Sequence, residues 1–464
     1  MMDDRARSEP SAQLFLERSG ITRIIVEKLF GQFTYNLTPQ LTHQGHSSRL
    51  LLLYGDNGSG KTTILRTLFY LLSHVDKEGH KTQVTKIKFK KFSIEFANGV
   101  TVAAKRDDCT ESPFDLSIYR DGRLVAEAPY GRDEGVERGR VSDEEYIRKL
   151  TQQRNRDKEH LKVLATLEGL KLGMIYLADS RDILTTVSEF GMITREDEDA
   201  PPWREYRQPS ESGRVEAALN RAVEQISSWA TRQALKGSAK GEEDVNSAYV
   251  GIVKRIAYPG FIMTQNPSSP AQLLTALDEQ ERRSDEFVRF GLTKPLRFRD
   301  IVNDLSGMDL GSQKIAVGIL EPYVASVKAR LDALDPIRVQ LAGFVDTMRD
   351  FYAHKRITLD VNHGLTICSD TGEELAPKLL SSGEGRLLYL LATTIIAKDK
   401  SNLFMIDEPE ISLNVKWQRQ LLRALLFVTQ GSGLQFLLAT HSMELLTRYS
   451  EFVLELEPQE SADA

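Results

Sequence analysis

Apolar and polar positions change period several times along the chain, and each change predicts an element. Ile21 to Val26 and Gly31 to Leu37 read as strands around a turn at Phe30-Gly31. Leu50 to Tyr54 is an unbroken apolar run of the kind a fully buried strand shows, and an apolar-periodic helix follows from Lys61. Strands are then predicted at Val84–Phe96, Val100–Lys105, Leu116–Tyr119 and Arg123–Ala126, with Asp121-Gly122 as a hairpin turn. In the first of these, Lys86, Lys88 and Lys90 alternate with Ile87 and Phe89, a basic stripe that is either a solvated sheet face or a contact for a phosphate backbone.

The period lengthens after this. Ser142 with Glu145 forms a capping-box pattern opening a charged helix towards Leu170, and Met174–Leu177 is a short buried strand ending in Ala178-Asp179-Ser180-Arg181. Glu196–Ser212 is acidic and proline-bearing, an expected linker. Helices are predicted at Val215–Leu235, Glu242–Ile256, Pro270–Phe290 and Gln313–His354, interrupted by Gly237-Ser238-Ala239-Lys240-Gly241, Pro259-Gly260, Pro322 and Pro336. No sustained heptad is read here, so a compact helical insertion is expected rather than a long coiled coil. Strands return at Ile357–Val361 and Leu365–Cys368.

The chemistry sits at the ends of the apolar runs. Gly55-Asp56-Asn57-Gly58-Ser59-Gly60-Lys61-Thr62 fits G-x-x-x-x-G-K-[ST] between a buried strand and a helix, the context of a P-loop. Its glycines let backbone N–H groups turn towards phosphate oxygens, and the helix N-terminus adds partial positive charge. Lys61 is expected on the β- and γ-phosphates and the Thr62 hydroxyl on Mg²⁺, with Thr63 in the same turn. Asn402–Glu408 is a second buried strand ending in two carboxylates, with Asp407 placed to hold Mg²⁺ and Glu408 to orient and polarise water. Leu380–Arg386, LSSGEGR, opens another helix, where Ser381 and Gly383 form either an anion site or a simple cap. Leu434–His441 is a third buried run, and His441 at its end is either structural or a γ-phosphate contact.

P-loop, LSSGE, DEPE and ATH occur in that order, and the chain thereby resembles the ATP-binding-cassette ATPases, in the branch holding SMC proteins, RecF and OLD-type ATPases. The resemblance covers residues about 21–130 and 357–455. It implies a mixed α/β, P-loop ATPase head, with a mixed central sheet, an antiparallel β-lobe and a helical insertion. It divides the chain into a leader (1–20), the first half of the head (21–134), the insertion (135–356), the second half (357–455) and a tail (456–464). By that resemblance Ser381, Ser382, Gly383 and Glu384 are the signature loop, acting on ATP held by a second copy. Glu408 is then the catalytic carboxylate, His441 the switch histidine and Asp179-Ser180 a candidate Q-loop that lacks the family's glutamine. Asn414 stands where transporter-type members carry an aspartate.

Composition narrows the class. The 464 residues are 41% hydrophobic, enough for a large core and about two or three lobes. A net charge of −6 supplies no global basic field for nucleic acid. Cys109 and Cys368 lie far apart without a CxxC pair, which suits a reducing compartment. With a polar start and no apolar run long enough to cross a bilayer, a soluble cytoplasmic protein is expected. No TOPRIM or ribonuclease domain is expected after His441, and no CxxC hook marks a Rad50-like chain. What remains resembles the stand-alone ATPases of phage-defence systems such as PARIS and Septu. That resemblance implies an oligomeric ATP-dependent sensor or scaffold controlling a separate effector, a nuclease in such systems. A RecF- or SMC-like clamp on DNA is the second reading, kept by the lysine stripe and by Arg289–Arg299.

Overall fold

The computed structural model describes residues 20–39, 48–75, 79–109, 111, 113–131, 143–179, 183–186, 211–257 and 269–457. In chain order the strands and helices before the long helices are β1 (Ile21–Leu29), β2 (Phe33–Leu37), β3 (Leu50–Tyr54), α1 (Lys61–Leu72), α2 (His80–Thr85), β4 (Lys91–Phe96), β5 (Val100–Lys105), β6 (Phe114–Arg120), β7 (Arg123–Tyr130), α3 (Asp143–Gly169), β8 (Met174–Leu177) and β9 (Ile183–Thr185). Then come α4 (Glu211–Ala257), α5 (Pro270–Val288), α6 (Arg299–Gly307), α7 (Leu310–Phe351), β10 (Lys355–Asp360), β11 (Gly364–Ser369) and α8 (Ser382–Ala397). The chain closes with β12 (Leu403–Asp407), α9 (Val415–Val428), β13 (Gln435–Ala439), α10 (Met443–Arg448) and β14 (Val453–Glu455). Two compact units result: Met1–Gln208 with Ala397–Ala464, and Pro209–Ile396.

The first unit packs two six-stranded sheets around one apolar core. The mixed sheet has the order β14-β3-β13-β12-β8-β9, and β3, β8, β12 and β13 are buried along nearly their whole length, as parallel strands covered on both faces must be. The antiparallel sheet runs β2-β1-β4-β5-β6-β7. A buried amide helps to join them: Gln435 Oε1 accepts from the Ile21 N–H at 3.0 Å, and its Nε2 donates to the Ser48 carbonyl at 2.8 Å. This is the mixed α/β P-loop architecture expected from sequence.

One predicted strand begins later than expected. Residues 84–90 belong to no strand; α2 occupies His80–Thr85 and β4 starts at Lys91. The cause is remote in sequence. Buried Arg106 donates to the Val84 carbonyl at 2.8 Å and the Ile87 carbonyl at 2.5 Å, taking acceptors a ladder would have used, with its guanidinium 4.2 Å over the Phe89 ring. Lys86, Lys88 and Lys90 therefore lie exposed ahead of β4 rather than along it.

The second unit corrects the expectation of interrupted helices. α4 is one helix of 47 residues and α7 one of 42, about 70 and 60 Å long. Gly237 does not end α4, because an added Cβ there would stand 2.9 Å from Leu334 Cδ2 and 3.3 Å from the Ala333 carbonyl; the glycine lets the two helices approach. Pro322 and Pro336 stay inside α7, each forfeiting one backbone donor that packing against α4 offsets. A heptad-like seam is present after all: Leu334, Ile337, Leu341, Phe344, Met348 and Phe351 are buried at alternating spacings of three and four. Ser269 caps α5 through a capping box with Gln272, and Asp309 caps α7 through the Gly311 and Ser312 N–H groups. The β10–β11 hairpin rests on α4, where Ser227 Oγ accepts from the Leu365 N–H at 3.0 Å.

Ser142, Ser180, Arg181 and Pro259-Gly260 lie outside the described residues, as do the linker up to residue 210, nearly all of the leader and most of the tail. Among the described residues no helix is long and apolar enough to cross a membrane.

Gly173 tests the packing of β12 on β8. A Cβ there would stand 2.3 Å from the Lys400 carbonyl oxygen and 3.1 Å from Ser401 Cα, backbone that cannot swing aside. Gly173→Ala is expected to cost about 1–3 kcal/mol in urea denaturation. Gly169→Ala, with nothing within 4 Å of the new Cβ, should not destabilise.

Candidate active site

Parallel pairing brings the predicted chemistry to one edge of the first unit. Ala439 is in register with Leu53, Asp407 with Ala439, and Ile406 with Leu177, so the segments following β3, β13, β12 and β8 all emerge on the same side. β13 lies between β3 and β12, which sets His441 between the glycine loop and the two carboxylates.

The loop is shaped by its glycines. Gly58 and Gly60 have φ of 85° and 94°, and a Cβ on Gly60 would come within 2.6 Å of Leu29 Cδ2. The Tyr35 hydroxyl donates to the Ser59 carbonyl at 2.9 Å, and the Phe33 and Tyr35 rings stack at 6.0 Å beneath the exposed ring of Phe30. Asp56, Asn57 and Gly58 are exposed at the loop tip, while Ser59 is buried and its Oγ has no partner among the described residues. Lys61 is 5% exposed and folds back, donating to the carbonyls of Gly55 at 2.8 Å and Asp56 at 3.0 Å. Burial lowers its pKa, opposed by Glu408, Asp407, Asp56 and Glu410.

Opposite stands the acidic wall. Asp407 Oδ1 accepts from Thr62 Oγ1 at 3.1 Å and Oδ2 from the Tyr176 hydroxyl at 3.2 Å, and Tyr176 is itself held by Arg66 Nε at 3.3 Å. Burial raises the Asp407 pKa against these hydrogen bonds. Glu408 has φ of 49°, and its N–H donates to the Ala439 carbonyl at 2.9 Å. Its Oε1 lies 3.2 Å from His441 Nε2. Burial first, then Glu410 and Asp407, push Glu408 up to about 7, while burial and Lys61 push His441 down. Both shifts disfavour an ion pair between the two side chains. Asp179 closes the group at the end of β8 and raises both Asp407 and Glu408.

The LSSGE loop belongs to the second unit. Ser381 and Glu384 form a capping box: Glu384 Oε2 accepts from the Ser381 N–H and hydroxyl, both at 2.8 Å, and Ser381 Oγ accepts from the Glu384 N–H at 3.3 Å. Lys355 Nζ clamps both Glu384 oxygens at 2.6 and 2.7 Å, and the Tyr352 hydroxyl donates to the Glu384 carbonyl at 2.7 Å. Burial opposes ionisation of Glu384, but Lys355 and Ser381 outweigh it and hold the carboxyl below its usual range. Ser382 and Gly383 form the first turn of α8, and Gly385 lets α8 lie against Leu219 of α4. Asn414, in the first unit, caps α9 through the Trp417 N–H at 3.0 Å.

The loop and the strand-end acids are therefore legible in the sequence, and the residues that hold them are not. Tyr176, Arg66, Glu410, Thr440, Tyr352 and Lys355 carry no signal in spacing. Glu410 is visible only as the third acid of DEPE, with nothing in the spacing to mark its role.

Residues 245–447 match the family model described as "AAA domain, putative AbiEii toxin, Type IV TA system", and residues 28–198 match one described as "AAA domain". No curated protein matches the chain. Among solved structures it is similar to the Smc head domain with an extended coiled coil bound to the C-terminal domain of ScpA, from Pyrococcus furiosus. That match has 12% identity and a TM-score of 0.34 and covers 92% of this chain and 91% of that one. An SmcHead bound to the C-winged helix domain of ScpA matches with the same values. The glycine loop and the acidic strand end thus fall in regions that match AAA-type ATPase domains.

Lys61 is the buried ammonium of the glycine loop. Lys61→Ala is expected to abolish binding of a fluorescent ATP analogue while leaving the thermal transition of the protein in place; retained binding would remove Lys61 from the phosphate site.

Proposed function

We propose that this chain binds and hydrolyses ATP as an ATP-binding-cassette-type head, with two copies completing each site, and that it controls a separate effector in bacterial defence. The observation that carries the hydrolysis is the convergence of Lys61, Thr62, Asp407, Glu408 and His441 at one sheet edge. The backbone N–H groups of Gly58–Lys61 and the buried ammonium bind the phosphates. Thr62 and Asp407 supply two hard oxygens 3.1 Å apart, which suits Mg²⁺, a cation that keeps water and phosphate oxygens in the rest of its shell. When bound, Mg²⁺ neutralises charge on the phosphate oxygens.

Glu408 is the base. Held near 7, its carboxylate accepts a proton from water as the water oxygen attacks the γ-phosphorus; the bond to the bridging oxygen breaks, leaving ADP and phosphate. His441 orients that carboxylate through the 3.2 Å contact. The N-terminus of α8, with Ser381, Ser382 and Gly383 capped and clamped by Lys355, is a rigid anion-binding end that a second copy presents to the bound nucleotide.

The regulatory half of the reading is supported by the first family description, which names a putative toxin of a toxin–antitoxin system. The long α4–α7 pair offers the docking length for an effector. A DNA clamp is the second reading, favoured by exposed Lys86, Lys88 and Lys90. Against it, the basic run at 289–299 is partly neutralised: Arg289 lies 3.6 Å from Asp346, and Arg297 3.3 Å from Asp285. Such exposed pairs add little stability but cancel field.

Glu408→Gln is expected to keep ATP binding, stop turnover and accumulate an ATP-dependent dimer in mass photometry. Adding Ser381→Arg should dissolve that dimer without weakening ATP binding by the monomer. A dimer that forms without ATP, or turnover by a Glu408→Gln monomer, would sink the composite site. A stoichiometric complex with a protein encoded nearby supports the scaffold, whereas a dimer that shifts only with duplex DNA supports the clamp.

The pH profile tests the base independently. Because Glu408 must be ionised and its pKa lies at about 7, kcat/KM should fall about tenfold per unit below about pH 7 and level off above it. A flat profile between about pH 6 and 8 would remove Glu408 from that role.

A further inference from the structure

Glu410 has no part in the mechanism above, yet it is 7% exposed and lies within the acidic wall. Its Oε1 accepts three hydrogen bonds from consecutive residues: Thr440 Oγ1 at 2.5 Å, the His441 N–H at 2.7 Å and the Ser442 N–H at 3.1 Å. Its Oε2 is buried without a partner among the described residues. The turn that follows β13 is thus hung on one carboxylate oxygen. On one side of the turn the Thr440 N–H donates to the Leu53 carbonyl at 3.1 Å, at the foot of the glycine loop. On the other, the Ser442 hydroxyl donates to Gln418 Oε1 at 2.8 Å.

We propose that Glu410 is a positioning residue for the hydrolysis proposed above, which sets the Thr440–Ser442 turn and through it the place of the His441 ring against Glu408. All three donors come from one turn and converge on a single carboxylate oxygen, and charge-assisted bonds of this kind are short and directional. The peptide N–H of His441 is one of the three, so the ring's origin is fixed by Glu410 rather than by the ring's own contacts. Displacing that origin by about 1 Å is enough to lose about 100-fold in rate without any loss of substrate binding.

The test separates this role from the hydrolysis reading. Amide exchange resolved to residues 440–442 in the nucleotide-free protein is expected to quicken about tenfold or more in Glu410→Ala and in Glu410→Asp, whose carboxylate falls short. Glu410→Gln, which keeps the acceptor, should restore protection. Wild-type protection in Glu410→Asp overturns the proposal, whether or not ATP is turned over and whether or not Glu410→Ala folds. In turnover, Glu410→Asp is expected to lower kcat about 10- to 100-fold with nucleotide Kd unchanged. The double variant with His441→Ala should be no slower than His441→Ala alone. Additive losses would mean that Glu410 acts apart from His441 and would overturn the proposal. Absence of turnover in the wild type would sink the hydrolysis reading and leave the exchange result to decide this one.

Discussion

A buried ammonium facing a wall of carboxylates is the constraint on which the first unit depends. Lys61 is almost inaccessible, and its charge is tolerated because Glu408, Asp407, Asp56 and Glu410 surround it and because two loop carbonyls accept its protons. The same acids repel one another, so burial and crowding leave Glu408 half-protonated near neutrality. A site with this imbalance is poised for a ligand that carries its own charges. Phosphates would take the ammonium from Gly55 and Asp56, and a hard cation would relieve Asp407.

Each charged group here is held by something outside the reacting set. Tyr176, backed by Arg66, turns Asp407; Tyr35 braces the Ser59 carbonyl; Glu410 carries the turn of His441. In the second unit Lys355 and Tyr352 do the same for the first turn of α8. The pattern is a set of reactive groups on strand ends and helix starts, each fixed by a buried polar partner from a neighbouring element, which limits rotamer freedom at the edge where chemistry is expected.

How much could be read beforehand depends on whether the signal is local. The glycine loop, Lys61 and Thr62 were legible because one short stretch encodes the turn, the cation and the hydroxyl together. Asp407 and Glu408 were legible because a buried strand has to end where charge begins. The run 84–90 has the alternation of a strand, but the Val84 and Ile87 carbonyls are taken by Arg106, which no window around Val84 contains. α4 and α7 were cut at Gly237, Pro322 and Pro336 because propensity is local and packing is not. The buried positions from Leu334 to Phe351 do keep a spacing of three and four, a seam that the proline at 336 concealed.

By itself, then, the sequence determined the glycine loop, the acidic strand end, the capped helix at Ser381 and the mixed α/β class, since each follows from residues adjacent in the chain. Only the tertiary structure decided that β13 lies between β3 and β12, and hence that His441 meets Glu408. It alone decided that Glu410 anchors the turn after β13 and that two interrupted patterns become two unbroken helices. The physical reason is common to all three. Strand order, carboxylate partners and helix continuity are set by contacts between residues tens to hundreds of positions apart, and their energies enter only when the elements are packed.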